Sequence, residues 1–86
     1  MPDYQITFAR SARRELEALP VSVTERILSQ IERLAQNPRP SGCKKLRGSN
    51  KLWRIKIGEY RVVYDINDKN KIVDIVVIRH RRDAYR

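Results

Sequence analysis

Leu52-Trp53-Arg54-Ile55-Lys56-Ile57-Gly58-Glu59-Tyr60-Arg61-Val62-Val63-Tyr64-Asp65 is the stretch that decides the fold. Two strand-like runs, residues 52–57 and 60–65, flank the two-residue turn Gly58-Glu59. Paired as a tight hairpin, Ile57 faces Tyr60, Lys56 faces Arg61, Ile55 faces Val62, Arg54 faces Val63 and Trp53 faces Tyr64. Opposed residues share a face and side chains alternate along each strand. One face therefore carries Trp53, Ile55, Ile57, Tyr60, Val62 and Tyr64, and the other carries Arg54, Lys56 and Arg61. The apolar face needs a partner layer, and the cationic face is suited to an anion.

Working outward, residues 71–79 hold Ile72, Val73, Ile75, Val76, Val77 and Ile78. This run is apolar on both faces and reads as a central strand. Asp74 within it is expected at an edge or paired. Near the start, Tyr4-Gln5-Ile6-Thr7-Phe8 alternates and reads as a first strand. Ala12, Leu16 and Leu19 then fall at helical spacing, and Pro20 closes that helix or opens the next. A second helix is expected over 21–36, with Val23, Ile27, Ile31 and Leu34 as its inner stripe. Residues 37–42, Asn-Pro-Arg-Pro-Ser-Gly, are a loop by composition. The expected fold is α+β over one domain, residues 1–86: an N-terminal strand, a two-helix hairpin and a three-stranded antiparallel meander. Both helices would pack on the Trp53/Tyr64 face.

The chain carries a net charge of +9, with 41% hydrophobic and 34% charged residues, the balance of a folded chain. Residues 1–43 contribute six Arg against five acids, +1. Residues 44–86 contribute six Lys and seven Arg against five acids, +8. That asymmetry points to a polyanionic partner for the second half, or to a basic surface kept for solubility. No apolar run approaches the ~20 residues of a membrane helix. Met1-Pro2-Asp3-Tyr4 lacks a secretory pattern, and the lone Cys43 suits a reducing compartment, so a cytoplasmic location is expected. One histidine and one cysteine make a structural zinc site unexpected, and no cofactor is implied.

The phosphate-binding candidates are Lys44, Lys45 and Arg47 before the hairpin, Arg54, Lys56 and Arg61 on it, and Arg79, Arg81, Arg82 and Arg86 at the end of the chain. Arginine offers bidentate geometry and lysine a point charge. Tyr85 could stack on a base or donate to a phosphate, or else cover an edge of the core. His80 should face away from Arg79, with structural and acid–base roles both open. Trp53, Tyr60 and Tyr64 read as core packing. The scattered Gly42, Gly48 and Gly58 form no nucleotide-binding loop.

Lys45-Leu46-Arg47-Gly48, the run from Trp53 to Tyr64, and Ile78-Arg79-His80-Arg81-Arg82-Asp83-Ala84-Tyr85-Arg86 together resemble the RelE family of toxin–antitoxin systems, within the RelE/ParE superfamily. The opening strand and the helical hairpin ending in Asn37-Pro38 fit the same pattern. The resemblance implies a small α+β toxin that enters the ribosomal A site and cuts messenger RNA, neutralised in a heteromeric complex by a RelB-like antitoxin. The implied reaction is metal-independent attack of the RNA 2′-hydroxyl on the adjacent phosphate, leaving a 2′,3′-cyclic phosphate and a 5′-hydroxyl. Carried over by position, the catalytic set is Lys56, Arg61, Arg79 and Tyr85. Arg54 matches the other basic hairpin position, where a lysine is frequent, so a proton-transfer role passes to Lys56. Lys44, Lys45, Arg47, His80, Arg81 and Arg82 join Arg54 as RNA-binding candidates. Two other readings stand beside it: a ParE-like inhibitor of DNA gyrase without nuclease activity, and a nucleic-acid-binding co-repressor acting with its antitoxin.

Overall fold

The computed structural model describes residues 4–49 and 51–84, and its elements run β1 (Gln5–Phe8), α1 (Arg10–Glu17), α2 (Val21–Leu34), β2 (Lys44–Lys45), β3 (Leu52–Ile57), β4 (Tyr60–Asn67), β5 (Ile72–His80) and α3 (Arg81–Ala84). The five strands make one sheet in the order β1-β5-β4-β3-β2. The expected meander is β3-β4-β5, antiparallel throughout. The first strand joins it parallel to β5, from Gln5↔Ile72 to Phe8↔Ile75, so the sheet is mixed and β5 is interior, as its apolar faces require.

One core lies between the helices and a single face of the sheet. Ala12 and Leu16 of α1 and Ile27, Ile31 and Leu34 of α2 meet Ile55, Ile57, Val62, Tyr64, Ile66, Val73, Ile75 and Ile78. The α2 residues recur at i, i+4 and i+7, which keeps them on one stripe. Val23, expected in that stripe, is half-buried at its margin. Pro20 opens α2, and its carbonyl accepts the N–H groups of Val23 and Thr24. Thr24 Oγ1 donates to the Leu16 carbonyl at 3.2 Å, which fastens the two helices at their junction.

Two features of β5 position the rest. Val63 pairs with Val77 but Tyr64 pairs with Ile75, so Val76 is an extra residue in a bulge. The inward parity switches there, from Val73 and Ile75 to Ile78 and His80. Arg79 is thereby turned onto the outer face. Beyond the end of β1, helix α1 lies along the exposed edge of β5: Ser11 Oγ donates to the Val76 carbonyl and Glu15 Oε1 accepts the Ile78 N–H at 3.1 Å. One helical turn and two strand residues both advance about 6 Å, so side chains four apart reach backbone groups two apart. Asp74, the acid in this apolar strand, accepts Thr7 Oγ1 across the pair at 2.7 Å.

Candidate nucleic-acid interface

The hairpin register is the one its alternation dictates, from Trp53↔Tyr64 to Ile57↔Tyr60. Gly58, at φ 60°, occupies the first central position of the turn, where a type II′ hairpin requires glycine. On the outer face Lys56 stands opposite Arg61, and Arg61 stands opposite Arg79 on the next strand. Directly opposed side chains leave the sheet about 5 Å apart, so three cations cross three strands in one row. β2 extends the arrangement: Lys44 pairs with Arg54 and shares its face.

A cleft of about 370 Å³ opens at the hairpin end, lined by Lys56, Gly58, Glu59, Tyr60, Arg61, Arg81 and Arg82. A smaller hollow of about 130 Å³ adjoins it, lined by Gly42, Lys44, Arg54 and Lys56. Lys56 is shared by both, so the basic strip is continuous from Lys44 to Arg82. Lys56 is exposed and Arg61 half-buried. Arg54 is also half-buried, and its Nη1 is shielded from solvent with no hydrogen-bond partner among the described residues. An unsatisfied buried N–H is costly, and an anion seated in the hollow would satisfy it.

The turn also fixes the C-terminal segment. The Glu59 carbonyl accepts the Arg81 N–H at 2.7 Å, while His80 Nδ1 accepts the Arg82 N–H at 3.2 Å. His80 Nε2 lies 3.1 Å from Glu59 Oε2. A nitrogen that accepts a backbone N–H carries no proton, so Nε2 is the protonated one and donates to Glu59. His80 also meets Tyr60 edge-on, with ring centroids 5.2 Å apart. It faces away from Arg79, as its place in the strand predicts, and anchors α3 while Arg81 and Arg82 line the cleft.

The other candidates separate. Arg79 Nε donates to Glu15 Oε2 at 3.0 Å. Lys45 is on the helix-facing side, its Nζ 6.0 Å from the Trp53 ring centroid, with the Arg39 guanidinium 5.1 Å from the same centroid. Arg47 is in the turn between β2 and β3, at the end of the hairpin remote from Gly58. Tyr85 lies outside the described residues. Sequence reasoning missed Arg26: its guanidinium lies over the turn, 3.3–3.5 Å from where a Cβ on Gly58 would stand. Only the packing of α2 on the sheet brings Arg26 to the turn.

The family model for the ParE toxin of type II toxin–antitoxin systems matches residues 6–85. A putative toxin RelE1 from Methanocaldococcus jannaschii is 30% identical, with 96% of each chain covered. Among solved structures, the RelE–RelB complex from Pyrococcus horikoshii OT3 superposes with a TM-score of 0.81 at 28% identity, covering 92% of this chain and 96% of the other. The isolated Escherichia coli RelE toxin gives 0.79 at 26% identity, covering 90% and 83%. With almost its whole length matched by the family model and by RelE relatives, the chain belongs to the RelE/ParE superfamily of type II toxin–antitoxin toxins.

Proposed function

We propose that this toxin is a metal-independent, ribosome-dependent endoribonuclease that cuts messenger RNA in the A site and so blocks translation. The observation that carries the proposal is the row Lys56, Arg61, Arg79 across three strands, of which Lys56 and Arg61 line a cleft together with Arg81 and Arg82. Cleavage by the RNA's own 2′-oxygen asks little covalent chemistry of the protein. The 2′-hydroxyl proton must leave, negative charge must be held on the pentacovalent phosphorus, and the departing 5′-oxygen must receive a proton. Preorganised cations act most strongly where that charge develops. Arg61 and Arg79 serve as phosphate clamps, since a guanidinium keeps its proton. Lys56, opposite Arg61, is the proton-transfer group. Lys44, Arg54, Arg81 and Arg82 hold the flanking backbone, and Tyr85 stacks on a base or assists the leaving oxygen.

The natural counterpart is a RelB-like antitoxin, as in the complexes of the structural neighbours, forming a heteromeric pair in the cytoplasm. A chain of charge +9 suits an acidic partner that covers the same strip. The test is primer extension on messenger RNA from cells expressing the protein, and from a reconstituted translation mixture. Cleavage that requires ribosomes and disappears in Lys56→Ala supports the proposal; intact message in growth-arrested cells overturns it.

A second reading is favoured by the matching family model itself, which describes the ParE toxin. Under that reading the chain poisons DNA gyrase and leaves RNA whole. A supercoiling assay with purified gyrase separates the two, because only the gyrase inhibitor blocks supercoiling in the absence of ribosomes.

A further inference from the structure

Arg61 and Arg79 leave the outer face side by side, yet they line different cavities. Arg61 lines the 370 Å³ cleft. Arg79 lines a groove of about 500 Å³ with Glu15, Ala18, Leu19, Tyr60, Ile78 and His80, around the edge of β5. Glu15 accounts for the divergence. Its Oε1 is anchored by the Ile78 backbone N–H and its Oε2 takes the Arg79 Nε–H.

We infer that Glu15 is a positioning residue that parks Arg79 outside the cleft, to be displaced by an RNA phosphate as Arg79 joins Lys56 and Arg61. The inference rests on the RNA-cleaving reading above. Like charges directly opposed across a sheet repel, so an unpaired Arg79 beside Arg61 would be unfavourable before substrate arrives. The carboxylate removes that repulsion and is itself fixed, being held by the strand backbone and carried on a helix. The arginine is the movable partner: its side chain is 52% exposed, against 27% for Glu15. An ion pair this exposed is weak. A phosphate between the two arginines offers paired, charge-assisted hydrogen bonds in its place. Exchange of one anion for the other then brings Arg79 into the row as the substrate seats.

The test is Glu15→Gln, which keeps an acceptor for the Ile78 N–H while removing the charge. The purified toxin, free of antitoxin, is titrated with a fluorescein-labelled single-stranded RNA over a range of NaCl concentrations, alone and in an Arg79→Ala background. Expected is about threefold tighter binding for Glu15→Gln, the scale of an exposed ion pair. The log–log salt slope should steepen by about 0.7, one further phosphate contact on single-stranded RNA. Neither change should appear when Arg79 is alanine. Unchanged or weaker binding overturns the inference, as does equal tightening in the Arg79→Ala background, which would report bulk charge alone. Wild-type protein that binds no RNA overturns instead the reading beneath. If thermal melting shows Glu15→Gln misfolded, Glu15→Ala, which leaves the Ile78 N–H to water, is put through the same comparison.

Discussion

Lys56 and Arg61 are direct cross-strand partners, each one residue removed from the hydrogen-bonded pair that flanks the Gly58-Glu59 turn, and both line the same cleft. Their proximity is set by backbone register and by glycine at the turn, so truncating either side chain leaves the scaffold that presents the other. Lys56→Ala removes an exposed side chain and should change stability by no more than about 0.5 kcal/mol. Arg61→Ala, half-buried, should cost more, about 1 kcal/mol. Both should abolish message cleavage and growth arrest. Urea titration of each variant beside a primer-extension gel checks the pair: a folded Lys56→Ala protein that still cuts at the wild-type rate removes Lys56 from the chemistry.

Ile55, next to Lys56 in the chain, tests the opposite face. It is 8% exposed and belongs to the core cluster. An aspartate there places an unpaired charge among Tyr64, Val62 and the α2 stripe, where water cannot solvate it. A loss of about 4 kcal/mol or more is expected, a large share of the 5–15 kcal/mol typical of a small domain. Ile55→Asp should lose its near-ultraviolet circular dichroism, whereas Lys56→Asp should keep it. The contrast between neighbouring positions reads out the alternation directly.

Much of this site was legible because a strand's period of two is simple arithmetic. The segregation of Lys56 and Arg61 from Ile55 and Val62 follows from counting, and the observed register agrees. What counting missed has physical causes. Ile75-Val76-Val77-Ile78 is apolar throughout, so nothing in it marks Val76 as the bulged residue. Strict alternation from Val73 would point Arg79 inward and His80 outward. β2 is two residues long and pairs through backbone groups, leaving no periodic signal; its Lys45, grouped with the RNA-binding candidates, shares the Trp53 side while Lys44 faces the strip. In the sequence Glu15 is only one of the charges between Ala12, Leu16 and Leu19. Its role exists only because β1 stops short and leaves the Ile78 N–H to be capped from α1.

Tyr64 is fully buried, and its hydroxyl donates to the Pro38 carbonyl at 2.8 Å, tying β4 to the loop that follows α2. Burial, its largest influence, pushes the hydroxyl's ionisation well above the ordinary tyrosine range, so it remains a donor at any working pH. Tyr64→Phe keeps the ring and strands the carbonyl, an expected loss of about 1–2 kcal/mol in urea-unfolding free energy. RNA cleavage should be unchanged, because this contact is on the helix side of the sheet. A variant as stable as wild type would show that the loop finds another donor.

Asp68, in the β4–β5 turn, accepts both Arg39 Nη1 and Nη2, at 3.2 and 2.9 Å, and the Tyr4 hydroxyl at 2.6 Å. The Arg39 hydrogen bonds, followed by that from Tyr4, lower its pKa from 3.8 to about 2. A carboxylate whose folded pKa is depressed stabilises the fold above its unfolded pKa and loses that contribution as pH falls through the folded value. The stabilisation is therefore complete near pH 6, declines below about pH 4 and is gone only below about pH 2. Asp68→Asn cannot carry the charge at any pH. Its melting temperature should lie below wild type at pH 6, with the gap closing between pH 4 and pH 2. A gap that holds constant across that range would assign the loss to geometry and remove the ionised pair as its cause. Because Arg39 also lies over Trp53, the same variant should alter tryptophan emission at pH 6 by releasing the guanidinium from its carboxylate.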